Sequence, residues 1–212
     1  MAKTMTTHSP AYDAFLASMN IGMSEWRDGI GYDLGALENV TASERIELAQ
    51  LMGERLKSNP GWREVEALGA IGTPAARAIL RAAVKRVDRE TRLHIEEQLA
   101  RLEEPADVEG AIIDALRRTT MDSGLSRAID MAEENPTPRI RETLLDLSLN
   151  GADEAGRVNC AALALYLGGK ADEAFDWNHR PFFLRFGDED RNVRVEAYKE
   201  LCDRLGVEPK GI

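Results

Sequence analysis

Residues 61–87 read GWREVEALGAIGTPAARAILRAAVKRV, and this stretch decides the fold. It holds two helical patterns that meet at Thr73-Pro74. Val65, Leu68 and Ile71 share one face of the first; Ile79, Leu80, Ala83 and Val87 share one face of the second. Gly69 and Gly72 are small residues suited to end the first helix. Thr73 offers an N-cap oxygen, and Pro74 fits the first helical position, where a missing N–H costs nothing. Neither helix is long or apolar enough to stand alone. The pair therefore predicts further helices stacked against it, which is the logic of a helical repeat.

Working outward, the same punctuation recurs. Pro10 to Asn20 predicts a helix with Tyr12, Phe15, Leu16 and Met19 on one side. Ile21 to Leu37 contains four glycines, which argues against a long helix; a short one is expected from near Asp33. Thr41-Ala42-Ser43-Glu44 matches a capping box that opens a helix to about Lys57. Its core face is expected to use Ile46, Leu48 or Ala49, Leu51 or Met52, and Leu56, with Ser58-Asn59-Pro60 as the stop. Asp88 caps a helix to about Glu103, and Val108, Ile112, Ile113 and Leu116 mark the next. Thr119 to Ser123 is expected to turn. Leu125 to Glu134 is helical with Ile129 and Ala132 inward. Thr137 caps a helix to Asn150, with Gly151 at C′, and Asp153 opens one that ends at Gly168-Gly169. Asp172 to Trp177 reads as a short helix and Asn178 to Gly187 as a loop or broken turn. Asp190 to Leu205 is the last helix, ended by Gly206. No run of strands is expected.

Composition agrees with a globular helical chain. Of 212 residues, 43% are hydrophobic, 30% charged and only 6% aromatic. Ala and Leu dominate the apolar set, which favours close helix packing. Cys160 and Cys202 fall inside helical patterns and read as small buried hydrophobes in a reducing compartment. No apolar run approaches the ~18 residues that would span a membrane. Met1 to Pro10 lacks the apolar core of a signal peptide, so a cytoplasmic location is expected. Net charge is −10, and residues 104–156 alone carry 5 basic and 12 acidic groups, net −7. Such a field repels nucleic acid and attracts basic partners.

Two internal signals recur. A capping-type residue is followed four positions later by arginine at Asn59/Arg63, Asp88/Arg92, Thr137/Arg141, Asp153/Arg157 and Asp190/Arg194. Arginine at a helix start gains nothing from the helix dipole, so it is expected to reach a neighbouring carboxylate or helix end. Separately, Val65, Ala67, Leu68 and Gly72 fall on Ala162, Ala164, Leu165 and Gly169 at an offset of 97.

Ala67 through Ala76 (ALGAIGTPAA) resembles the junction of a HEAT repeat, and Asp190 through Ala197 (DRNVRVEA) resembles the start of one. The resemblance is best over 59–103 and extends over 137–206. It implies an all-α fold: a short right-handed α-α superhelix, a HEAT/armadillo-like solenoid of antiparallel helix pairs, built for protein binding. Trp62-Arg63 stands where that family has Val-Arg, and the caps are spaced 29, 49, 16 and 37 residues apart, so the solenoid is expected to be short and distorted. The implied division is an N-terminal helix and glycine-rich capping segment over 1–40, a HEAT-like domain over 41–206, and a tail over 207–212.

Chemistry-bearing residues are sparse. His8 sits in the tail and His94 beside the apolar stripe of its helix, with only Gln98 at ligand spacing. His179 follows Asp176-Trp177-Asn178 without a nucleophile nearby in sequence. Glu25, Asp28 and Asp33 match no calcium-loop spacing and read as caps and turn residues. No phosphate loop, nucleophile elbow or zinc spacing occurs, so neither a cofactor, a metal nor catalytic residues are expected. Arg77, Arg81 and Lys85 form a basic stripe at i, i+4, i+8, continued by Arg86, Arg89 and Arg92. Aromatics gather in irregular segments: Trp26, Tyr32, Trp177, Phe182 and Phe183.

These features predict a non-catalytic protein-binding solenoid, an acidic neutraliser of the immunity type or an adaptor for a basic protein. The expected surface combines Asp107, Glu109, Asp114, Asp130, Glu133 and Glu134 with Trp26, Asp28, Tyr32, Trp177, His179 and Arg180. The rivals are a nucleic-acid-binding HEAT module using Arg77–Arg92, and a HEAT-like lyase-type enzyme drawing on Asp176 and His179.

Overall fold

The computed structural model describes residues 8–118, 120 and 124–212; the side chain of Trp26 lies outside that description, as does the turn expected over Thr119–Ser123 apart from Thr120. The described residues are helical, with no strand among them. They divide into two compact units, Met1–Ala106 and Asp107–Ile212.

The first unit holds α1 (Pro10–Ser18), α2 (Met23–Arg27), a 3-10 turn at Leu34–Asn39, α3 (Ala42–Ser58), α4 (Trp62–Ile71), α5 (Pro74–Ala83) and α6 (Arg89–Arg101). Helix α4 is its centre, packed against α3, α5 and α6. Val65, Ala67 and Leu68 are fully buried there, with Leu48, Met52, Leu80, Ile95 and Leu99 around them. The Thr73-Pro74 junction forms as its residues dictate. Gly72 takes the left-handed conformation (φ 64°) that ends α4, and Thr73 accepts the Ala76 N–H to start α5. Gly53 lets α5 approach α3, since a Cβ there would stand 3.0 Å from Ile79.

The second unit holds α7 (Val108–Arg118), α8 (Leu125–Glu134), α9 (Pro138–Asn150), α10 (Glu154–Leu167), α11 (Arg180–Leu184) and α12 (Arg191–Leu205). Helix α10 is central, packed against α8, α9, α11 and α12. Its sequence runs Val158, Cys160, Ala161, Ala162, Leu163, Ala164, Leu165, all buried, so it is enclosed on every side rather than along one stripe. Both cysteines are buried and free.

Arginine fastens these helix pairs together. Arg45, in the first turn of α3, donates to Ile71 O (3.2 Å) and Leu37 O (2.5 Å). Arg141, in the first turn of α9, donates to Leu167 O and to Pro136 O. Each therefore grips the carbonyl end of the following helix, which runs antiparallel to its own. Thr41, Arg45 and Ile71 precede Thr137, Arg141 and Leu167 by 96 residues each. The two pairs divide that span differently: α3 and α4 have 17 and 10 residues, α9 and α10 have 13 and 14. Arg157 donates to Phe186 O (2.8 Å) and Gly151 O (3.0 Å), and Arg194 to Asp188 O and Glu189 O. The expected helix-end target is thus met by backbone carbonyls, whose partial negative charge at a helix C-terminus suits a guanidinium.

Several expectations are corrected. The N-cap of α4 is Gly61, not Asn59, so Asn59/Arg63 is not a cap pair; Arg63 donates instead to Ile30 O. The pairing rule instead gains Thr41/Arg45 and Thr73/Arg77. Ile46 is 49% exposed, because it lies about 200° around α3 from Leu48. Gly151 is not left-handed (φ −59°); it is glycine's size that fits, since a Cβ would meet Leu147 O at 2.6 Å. Residues 172–175 form bends and turns rather than a helix. Residues 177–187 are helical: 3-10 turns at Trp177–His179 and Arg185–Gly187 flank α11, whose first turn accommodates Pro181.

Candidate partner-binding surface

Asp176 organises the most unusual surface of the second unit. It is buried, and both carboxylate oxygens accept backbone N–H groups, from Asn178 at 2.8 Å and Asp172 at 3.3 Å. The amide of Asn178, foremost among these contacts, holds the carboxyl below its usual range. This cap starts the 3-10 turn and places the next residue, Trp177, outward: it is 68% exposed. The Arg180 guanidinium lies 5.3 Å from the Trp177 ring centroid, within cation–π range. Phe175 meets Trp177 edge-on at 6.0 Å and lies tilted against Phe183 at 5.3 Å. Phe183 and Phe186 are fully buried, and Phe182 nearly so. Arg204 lies 4.1 Å from the Phe182 ring centroid, and Arg185 and Arg204 both bind Glu200, whose carboxyl they hold below its usual range. The loop aromatics therefore split: Phe182, Phe183 and Phe186 are core, and Trp177 stands on half-buried Phe175 as an exposed indole.

His179 Nε2 stands 4.0 Å from Asp176 Oδ2, beyond hydrogen-bond reach, and its ring instead meets Phe183 edge-on at 6.0 Å. Asp176 acts on its own turn rather than on the imidazole.

The remaining expected residues take varied places. Tyr32 is 8% exposed; its hydroxyl donates to buried Glu64 at 2.5 Å, and desolvation lifts it to about 12, so it belongs to the core. Asp28 is exposed and pairs with Arg27. The Trp26 side chain lies outside the described residues. Asp107 accepts the Gly110 N–H at the start of α7. Glu109 receives the Thr137 hydroxyl and Arg139, tying α7 to α9. Asp114 pairs with Arg118 one turn on. Asp130 and Glu134 are exposed on α8 and Glu133 half-buried, and no ion pair engages the three among the described residues. Residues 107–212 carry 21 acidic and 14 basic side chains.

The basic stripe is largely neutralised. Arg77 and Arg81 both bind Glu104, which they hold below the ordinary carboxyl range, and Arg77 also donates to Gly72 O. Lys85 is exposed. Sequence reasoning missed Glu104 because it lies 23 and 27 positions from its partners. It missed the organising role of Asp176 because Asp-x-Asn capping a 3-10 turn has no helical periodicity to announce it.

No protein-family description, curated protein or solved structure matches this chain.

Proposed function

We propose that this chain is a non-catalytic helical-repeat scaffold of HEAT-like, superhelical type that binds a basic protein through its second unit. It would act as an immunity-type neutraliser or an adaptor. Trp177 is the anchor, Arg180 and His179 its rim, and the carboxylates of Asp130, Glu133 and Glu134, unpaired among the described residues, supply attraction over a longer range. The single observation behind this reading is an indole 68% exposed yet fixed by a buried cap and an aromatic base. Rigid aromatic side chains of this kind lose little entropy on binding and dominate interface energies. The excess of acidic over basic groups in residues 107–212 favours a basic partner and faster encounter with it. The recurrence of the arginine fastening 96 residues apart supports a repeat architecture. Free, buried Cys160 and Cys202 suit a reducing compartment such as the cytoplasm.

The test is affinity capture from the native host with tagged wild-type chain and Trp177→Ala, eluted by salt and identified by mass spectrometry. A stoichiometric basic protein held by wild type and lost from a normally folded Trp177→Ala supports the proposal. Truncating a hot-spot tryptophan costs about 2 kcal/mol or more, roughly a 30-fold loss of affinity. Capture of only neutral or acidic proteins, or equal capture by both chains, overturns it.

A further inference from the structure

The first unit carries an open apolar groove of about 470 Å3 between α3 and α5. Its floor is Leu56, Ala83 and Val87, and its walls include Gly53, Ala78 and Ala82. Ala78 and Ala82 are small, so a partner backbone can come close along α5, while Ile79 covers Gly53. Lys57 and Arg86 line the rim. Lys57 is matched by Glu54 at 2.6 Å. Arg86 donates its Nε–H to Ala82 O at 3.0 Å and has no carboxylate partner among the described residues; neither does Lys85 beside it. Elsewhere on the same stripe Arg77 and Arg81 are paired to Glu104, and Arg92 to Glu96. In a chain of net charge −10, the groove's own Arg86 thus stays uncompensated, with a second uncompensated cation, Lys85, next to it in sequence.

We infer that the groove seats an amphipathic helix from a partner protein, with apolar residues at i, i+3 or i+4 and i+7 and carboxylates at the end that meets Lys85 and Arg86. Three such apolar residues span about 10 Å, a length two facing helices can cradle. The cations set the polarity of docking, and the groove supplies the contact area. A second copy of this chain is disfavoured as the occupant, because each copy carries a net charge of −10 and the two would repel one another. The groove lies in the other unit from Trp177, so the two proposals fail independently.

The experiment uses the full chain and three fluorescent 20-residue helical peptides with one leucine face, flanked by Glu, Gln or Lys. Fluorescence anisotropy is read at 50 and 300 mM salt against wild type, Lys85→Glu/Arg86→Glu and Ala82→Trp. The Glu-flanked peptide is expected to bind wild type at least tenfold more tightly than the Lys-flanked one, with the gap shrinking at high salt. The double charge reversal should invert that order, and Ala82→Trp, which fills the groove, should weaken all three peptides. Ala82 is exposed, so the variant keeps its fold; circular dichroism checks both. Equal affinity for the three peptides, no binding of the Glu-flanked peptide, or binding indifferent to Ala82→Trp overturns the inference. Competition by a DNA duplex that Ala82→Trp leaves unchanged assigns the cations to a phosphate backbone and overturns it too.

Discussion

Glu44 is buried at the start of α3 and accepts hydrogen bonds from the amides and hydroxyls of both Ser9 and Thr41. It joins α1 to α3 and completes the capping box that the sequence announced. The two amides, Ser9 first, bring its carboxyl down to about 2 from an ordinary 4.5. A carboxyl depressed by folding stabilises fully above its unfolded pKa, and that stabilisation is lost as pH falls toward the folded value. Melting temperature should therefore drop between about pH 4.5 and 2, and Glu44→Gln should flatten that limb; an unchanged acid profile would contradict the role given to Glu44. Glu103 makes a second prediction at this scale. It is the one non-glycine residue with positive φ (57°) among those described, and it sits at C′ of α6. The amides of Glu103 and Glu104 bond Ala100 O and Leu99 O, the paired bonds that end a helix in a left-handed residue. Glu103→Gly should stabilise by about 1 kcal/mol in urea denaturation, since glycine adopts that conformation without a Cβ clash.

At the scale of elements, the arginine fastenings carry the argument. Arg45→Ala and Arg141→Ala each remove charged donors from helix-end carbonyls, and each should cost about 2 kcal/mol. They share no partner, so the double variant should lose nearly the sum; strong non-additivity would show that they act otherwise. Leu68→Ala, at the fully buried centre of α4, should cost about 2–5 kcal/mol by opening a cavity. Much of this layer was legible. Thr- and Asp-capped starts, the Thr73-Pro74 junction and the glycine stops at Gly72 and Gly206 are local chemistry, and they appear where their residues sit. What escaped was set by tertiary context. Phe182, Phe183 and Phe186 form helical turns because burial against α10 and α12 rewards them, although Pro181 and short apolar runs suggest a loop. Trp177 and Tyr32 looked alike in sequence, as aromatics in irregular segments beside aspartate. Only the partner of each, a backbone-held turn against a buried carboxylate, separates anchor from core.

At the scale of the whole molecule, charge and covering decide behaviour. Net charge −10 and the pairing of Arg77 and Arg81 with Glu104 predict no measurable affinity for duplex DNA at physiological salt, with only weak, salt-sensitive binding through Lys85 and Arg86 at low salt. A filter-binding or anisotropy titration checks this; tight binding with a steep salt slope would restore the nucleic-acid reading. The arginines that hold the helix pairs have a consequence for how such a chain changes over evolutionary time. Each grips a peptide oxygen, which every amino acid carries. The receiving positions at Leu37, Ile71, Leu167, Phe186 and Gly187 can therefore exchange side chains without losing the bond, provided the backbone keeps its course. No covarying partner records the contact. Within the limits that packing sets at these positions, descent can rewrite one half of every fastening and leave the donor arginine, four residues after a cap, as its trace.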